Sequence, residues 1–465
     1  MKNLVPFLLS FFLTCNYSQS QQFEKAISAN SRLIQQLVKQ SNIPGLSIAV
    51  SHKNEIIWNQ SFGKISLEHQ IPTNDSSKFR IASVSKLFTG TAIFKLHKEG
   101  KIHLDDYISK YLDSVPNHWK TITIRQIAQH TSGIGHYIDL QDALDTHHYN
   151  STKEALKKIE NRSLKHKPDD NVTYSSYAYT VLAAVIEKAT NKEFPLAMND
   201  IIFKPLKMTH TEVDNHKKII EGRTAFYQYN TNRKPEHAPH INLSGRWAGS
   251  GYLSTAKDLV KFGMAHTYSS KLFSKKDLTE LTSPRKINDS LYTKEGIGWG
   301  LRNDWEDRIV FWGDGKTPGS TCGLMVFPKE ELSIAIVSNM RNAPIERGEF
   351  QTIARRFLAE IDGKSIKEFK PKTTYNYNLD IKIGKNDLKA KLILNNEANL
   401  SGTFDLIGIQ KFNIYDSFWI EDDLWIFASA GGQPPISLGF LPIKLNIESK
   451  KISGQIFRIN AEIKN

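Results

Sequence analysis

The chain has 465 residues, a length that points to more than one domain. Its formal charge of +13 is spread along the sequence, which suits an exported protein near anionic wall or membrane polymers or simply a lysine-rich solvated surface. No aromatic-interleaved basic cluster argues for nucleic acid, and the fifteen histidines show no ligand spacing, so neither a metal nor another cofactor is expected.

In chain order, Met1-Lys2-Asn3 is followed by an apolar run from Leu4 to Leu13 and then Ser18-Gln19-Ser20. That pattern reads as a signal peptide over residues 1–20, giving a periplasmic or secreted protein. Cys15 after the apolar run raises a lipoprotein alternative, although Phe12-Leu13-Thr14 is a poor lipobox. No later segment approaches the ~20 apolar residues that a membrane span needs. Cleavage after Ser20 would leave Cys322 alone, so no internal disulfide is expected, and its apolar strand marks it as a small core residue.

A helix is predicted from about Glu24 to Gln40, then a hairpin of Gly45–Val50 and Glu55–Phe62. A mostly helical region follows from Ser83 to about Thr282. Strands resume at Arg308–Gly313, Thr321–Pro328 and Leu332–Asn339, before a helix at about Ile345–Ile361. Strands at both ends with helices between imply one sheet built from the two ends of this segment, with a helical subdomain inserted. Near Asp362-Gly363 the texture changes. Residues 363–377 read as a linker, and residues 378–465 as an all-β module, a small barrel or sandwich. Its period-two pairs are Ile381/Ile383, Leu392/Leu394, Leu424/Ile426 and Leu441/Ile443/Leu445/Ile447. Nothing in this module carries chemistry, which makes it an accessory domain to a main domain at 21–362.

Chemistry concentrates at Phe79-Arg80-Ile81-Ala82-Ser83-Val84-Ser85-Lys86. A Ser-x-x-Lys pair one helical turn apart sets the ammonium beside the hydroxyl, and a desolvated lysine can be neutral and take the serine proton. Spacing alone does not select this pair, since Ser61/Lys64, Ser254/Lys257 and Ser283/Lys286 share it. Ser61 ends a strand at a glycine turn, Ser254 precedes a Thr-x-x-Asp helix start, and Ser283 lies before Pro284 in a polar loop. After Ser83 alone does an apolar stripe continue, through Val84, Leu87, Phe88, Thr91 and Leu96 to a stop at Glu99-Gly100.

Ile43–Val50, Asn74–Arg80, Ser83–Lys86 and Leu104–Tyr107 resemble the serine β-lactamase and penicillin-binding-protein-like hydrolases, most of all the class C β-lactamase, esterase and D-aminopeptidase branch. Ile122–Ile134, with its His130-Thr131-Ser132-Gly133, and Ala248–Leu259 are similar to two further segments of that branch, in family order across roughly residues 25–360. The resemblance implies an α/β fold, an antiparallel sheet flanked by helices around an inserted helical subdomain. It also implies a secreted hydrolase acting through an acyl-enzyme, with Ser83 as nucleophile, Lys86 and Tyr174 moving the proton, and a small-molecule or cell-wall-type peptide substrate. Tyr174 precedes a helix, where the dipole and the Lys86 ammonium would favour a phenolate and a role as base. The family's Tyr-x-Asn becomes Tyr174-Ser175-Ser176, a shorter hydroxyl at the third position. Its third motif is altered too: either Asp314-Gly315 replaces His-x-Gly, or Lys316-Thr317-Pro318-Gly319 is a displaced Lys-Thr-Gly. Ser176, Asp314, Lys316 and Thr317 are therefore the expected substrate contacts. The altered positions keep a second reading open, a non-catalytic ligand-binding or scaffold descendant. Substrate choice is assigned to the loops His136–Asn150 and Arg223–His240.

Overall fold

The computed structural model describes residues 21–345, 347–369, 374–383, 386–395, 402–407, 410–429, 441–448, 451–456 and 459–462. The expected signal peptide, with Cys15, lies outside them. Contacts divide the chain into two compact units. One is Val38–Ala343; the other joins the residues up to Leu37 with those from Pro344 onward. The texture change near Asp362 thus falls inside the second unit, after its helices.

In the first unit, strands β1 (Gly45–His52), β2 (Glu55–Ser66) and β3 (Ile71–Pro72) from the start meet β4 (Gly300–Asn303), β5 (Ile309–Thr317), β6 (Ser320–Phe327) and β7 (Leu332–Ser338) from the end. The order is β3-β2-β1-β7-β6-β5-β4, antiparallel throughout, with Ile48 opposite Ile336 where the two chain ends join. β1, β6 and β7 are buried along their whole length, so they read as continuous apolar runs rather than alternations. Cys322 is a buried free thiol in β6. β2 does not end at Gly63 as expected; it passes through that glycine at φ 72° and continues to Ser66.

The helix of Ser85–Lys98 (α1) is not amphipathic but buried on every side from Ser85 to Phe94. Phe88 meets Phe203, Tyr252 and Phe262 edge-on at centroid distances of 5.3, 5.7 and 4.7 Å. It leaves the core at Glu99, and Gly100 takes the left-handed φ of +70° that a helix stop favours. Thr255 caps its helix by accepting from the Asp258 amide, as the Thr-x-x-Asp reading requires.

In the second unit, Phe23 packs on Phe357 at 5.8 Å, and Asn30 donates to the Ile353 carbonyl, joining the helices Glu24–Gln40 and Arg347–Ile361. The following strands pair antiparallel, and the additional pairing of Gln410–Ile420 with Asp423–Ser429 closes eight of nine into a ring. A barrel is therefore the outcome between the two expected forms. Leu392, Leu394, Leu424 and Ile426 fill its interior with Phe404 and Phe412. The side chains of Ile381, Ile383 and the Leu441–Ile447 series lie outside the described residues. Ile366–Glu368, within the expected linker, pairs as an edge strand with Phe418–Ile420.

Candidate active site

Ser83 lies in a short 3-10 turn, Ala82–Val84, that feeds α1. In that first turn its amide has no intrahelical acceptor. Ala82, just before it, is held at φ 46°, a costly conformation for a buried alanine that persists because surrounding contacts fix it. The Ser85 hydroxyl donates to the Ala82 carbonyl at 2.7 Å and accepts from the Tyr252 amide at 3.3 Å, which clamps the turn. Strand β5 lies against it: a Cβ at Gly315 would come within 2.6 Å of the Ser83 nitrogen, so only glycine permits this approach.

Lys86, one turn on, is fully buried and donates from Nζ to the Gly249 carbonyl (2.6 Å), to Ser176 Oγ (2.9 Å) and to Ser83 Oγ (3.2 Å). None of these partners is charged. Burial therefore pulls its pKa down to about 7; Glu295 opposes the shift and Arg246 adds to it. Near pH 7 a large share of Lys86 is a neutral amine. The Gly249 carbonyl can only accept, so it holds one N–H, and the lone pair is left for a serine hydroxyl. Gly249 itself sits on the Ser176 backbone, where a Cβ would meet the carbonyl at 2.5 Å.

From the other side Tyr174 donates its hydroxyl to Ser83 Oγ at 2.7 Å. The residue is 39% exposed overall, yet desolvation by its neighbours raises the phenol well above its ordinary pKa. The expected resting phenolate is thus corrected. Tyr174 lies four residues ahead of the helix Ala178–Thr190, and desolvation outweighs any help from the dipole.

Two histidines that sequence reasoning did not select hold the Tyr174 turn. His130 Nδ1 accepts the Ser175 amide and His136 Nδ1 accepts the Ser176 amide, each at 3.2 Å. The His130 ring also lies 4.5 Å from the Tyr174 ring. Burial lowers both imidazoles, His136 to about 4, so both remain neutral acceptors. The buried His130 Nε2 points toward Glu295, 3.8 Å away, whose carboxyl is raised by its own burial. His130 belonged to a recognised segment, but nothing in its spacing marked it as a support; Glu295 carried no sequence signal.

The structure thus brings Ser83, Lys86, Tyr174 and Ser176 into one hydrogen-bonded cluster. Asp314, Lys316 and Thr317 lie along β5 beside it. Asp314 and Lys316 are exposed and Thr317 is buried. The Asp314 carboxylate accepts from the Trp312 indole at 3.1 Å. Gly315, between Asp314 and Lys316, is the residue laid on Ser83.

A sequence model of the Beta-lactamase family matches residues 30–357. Curated relatives include the human serine beta-lactamase-like protein LACTB, mitochondrial, 26% identical over 54% of this chain and 58% of that protein. Protein flp of Staphylococcus aureus is 27% identical over 67% of this chain and 62% of its own length. The chain therefore spans about three fifths of these relatives. Among solved structures, SurE aligns over 95% of this chain and 100% of its own, with a TM-score of 0.62 at 17% identity. A D-stereospecific amidohydrolase from Streptomyces sp. aligns over 68% of this chain and 94% of its own (TM-score 0.57, 24% identity), and a class C beta-lactamase over 72% and 96% (0.58, 19%). At these identities the structural likenesses speak to fold.

Proposed function

From a chain that belongs to the Beta-lactamase family, we propose a serine hydrolase that forms an acyl-enzyme on an ester or amide. The observation that carries it is a buried lysine without a carboxylate partner, hydrogen-bonded to a serine that a protonated tyrosine meets from the opposite side. Ser83 Oγ attacks the carbonyl carbon and passes its proton to neutral Lys86. The Ser83 amide, in a helix first turn, supports the oxyanion. As the acyl–heteroatom bond breaks, Tyr174 gives its proton to the leaving group. The phenolate then forms only while Lys86 is an ammonium, 4.7 Å from the tyrosine ring. In deacylation water yields its proton to Tyr174 and attacks the acyl carbon, and Lys86 returns a proton to Ser83. The cycle closes with every proton accounted for.

The exposed Asp314 beside the cleft disfavours a carboxylate next to the scissile bond, so neutral esters and peptides suit the site better than β-lactams. With the N-terminal reading, the enzyme would work in the periplasm or outside the cell. Among the described residues no helix is long and apolar enough to cross a membrane. The test is to incubate the protein with a fluorophosphonate and map the adduct by mass spectrometry. The adduct is expected on Ser83 and absent from Ser83→Ala; labelling that survives this substitution overturns the proposal.

A further inference from the structure

The loop that follows Arg223 walls a cavity of about 260 Å³ that the proton cycle does not use. Its lining joins apolar surface, Phe226 and Ile241, to Arg80, Arg223, His216 and His240. Arg80 is buried and committed. Its Nε donates to Asp214 at 2.7 Å, its Nη1 to the Pro318 carbonyl at 3.0 Å, and its guanidinium lies 3.7 Å from the Phe226 ring centre. Arg223 is different. Only Nη1 is engaged, with Asp214 at 3.1 Å and the Asn215 carbonyl at 3.5 Å, while the side chain stays 29% exposed. Its Nε and Nη2 make no hydrogen bond to the described residues.

Two guanidiniums therefore share the single Asp214 carboxylate. A third cation, the buried Arg246, stacks over Tyr137 at 4.7 Å and, among the described residues, donates only to the Ala143 carbonyl, and its charge reaches Arg80. On the rim, His237 is matched by Glu68 at 2.7 Å. His216 takes the Asn242 amide N–H on Nδ1 at 2.9 Å, so a neutral ring carries its proton on Nε2. The cavity consequently has a positive field, unengaged guanidinium donors and an apolar wall, a combination that matches an anionic oxygen group on a short carbon chain.

It also stands near the nucleophile. Arg80 precedes Ser83 by three residues, which cannot separate their Cα atoms by more than about 11 Å. Arg80 holds the Pro318–Gly319 turn, and that turn ends the strand laid against Ser83.

We infer that this cavity is a subsite for an anionic oxygen group, a carboxylate or phosphate, carried by the substrate at a distance from the bond that Ser83 opens. The inference rests on the hydrolase reading and names its substrate class. Asp314 repels a carboxylate at the scissile bond, whereas Arg223 accepts one farther away. The experiment uses p-nitrophenyl half-esters of the linear dicarboxylic acids from succinate to suberate, each paired with its methyl ester. At least one half-ester is expected to show kcat/KM about tenfold above its methyl ester, the usual size of one charge-assisted contact. Arg223→Gln should bring that ratio to about one, and Arg223→Lys should keep most of it. Ratios near one throughout the series, or a preference that survives Arg223→Gln, would overturn the subsite. A second arm needs no turnover: Ser83→Ala protein titrated calorimetrically with suberate and with inorganic phosphate. Binding by either that disappears in the Ser83→Ala/Arg223→Gln double variant supports the subsite and tells carboxylate from phosphate. Binding by neither overturns it. Absence of hydrolysis of every ester, alongside intact binding, would instead sink the hydrolase reading alone.

Discussion

Both compact units bury cations, and two of these, Lys86 and Arg356, are handled in opposite ways. In the unit of residues 38–343, Lys86 has only hydroxyl and carbonyl partners among the described residues. In the terminal unit, Arg356 donates from Nη2 to Asp416 at 2.8 Å and from Nη1 to Asn30 at 3.0 Å, and stacks 3.8 Å from the Phe418 ring centre. Both are almost fully buried. A paired cation is a structural joint, here tying both terminal helices to the barrel. An unpaired lysine is held near its titration point, where it can exchange a proton. Partner chemistry, rather than burial, separates the two roles.

Exchanging each cation for methionine should break the comparison most sharply. Lys86→Met is expected to lower kcat/KM for p-nitrophenyl acetate by roughly 10⁴-fold, the upper range for a positioned base, with an unchanged circular dichroism spectrum. Its stability is where the sign matters. The folded pKa near 7 lies below the unfolded value of 10.5, so above pH 7 the native state sheds a proton that the unfolded chain keeps. Stability contributed by this group therefore rises with pH between those values, and its penalty is complete below about 7. Urea denaturation at pH 6.5 and 9.5 should show that rise in wild type and a flatter response in Lys86→Met. The same amine must be neutral to act, so kcat/KM should climb through about pH 7; a profile flat from pH 5.5 to 9 would remove Lys86 as the base.

Arg356→Met should do the reverse. Leaving Asp416 buried and unpaired costs about 3–5 kcal/mol of stability, read from the denaturation midpoint. Per folded molecule, kcat/KM should stay within twofold. A catalytic loss equal to that of Lys86→Met would erase the distinction between the units.

Next in size is Tyr174→Phe, expected to slow turnover by roughly 10²–10³-fold while the fluorophosphonate still labels Ser83, because the lost proton serves the leaving group. Wild-type turnover in this variant would show that Tyr174 does not serve as the acid.

The smallest expected effect concerns the histidine clamp. His136→Ala removes the acceptor of the Ser176 amide and should cost about tenfold in kcat, the scale of one buried donor left unpaired. His136→Asn, which can place an oxygen near the Nδ1 position, should recover most of it. Equal losses in both variants would assign His136 a packing role.

Much of this was legible in the chain. The period-two pairs Leu392/Leu394 and Leu424/Ile426 face the barrel interior, and the strands around Leu332 and Thr321 lie where their apolar runs placed them. Alternation and continuous apolarity are local consequences of strand geometry, so they survive in a one-dimensional reading. The order of Ser83, Lys86 and Tyr174 was legible for a related reason: spacing along one helix turn and position before a helix are sequence properties. Protonation states were not. Tyr174 reads as a phenolate beside a dipole only while its surroundings are unknown, and desolvation by residues distant in sequence reverses that.

By itself, then, the sequence determined the strand and helix periods and the serine–lysine pair. Those depend on backbone geometry and on spacing along one helix turn. Tertiary structure decided which cation goes unpaired, which residue of β5 lies on the nucleophile, and that His130, His136 and Glu295 stand behind Tyr174. Each of these is a matter of dielectric surroundings and of distances between residues tens to hundreds of positions apart, and no local pattern encodes them.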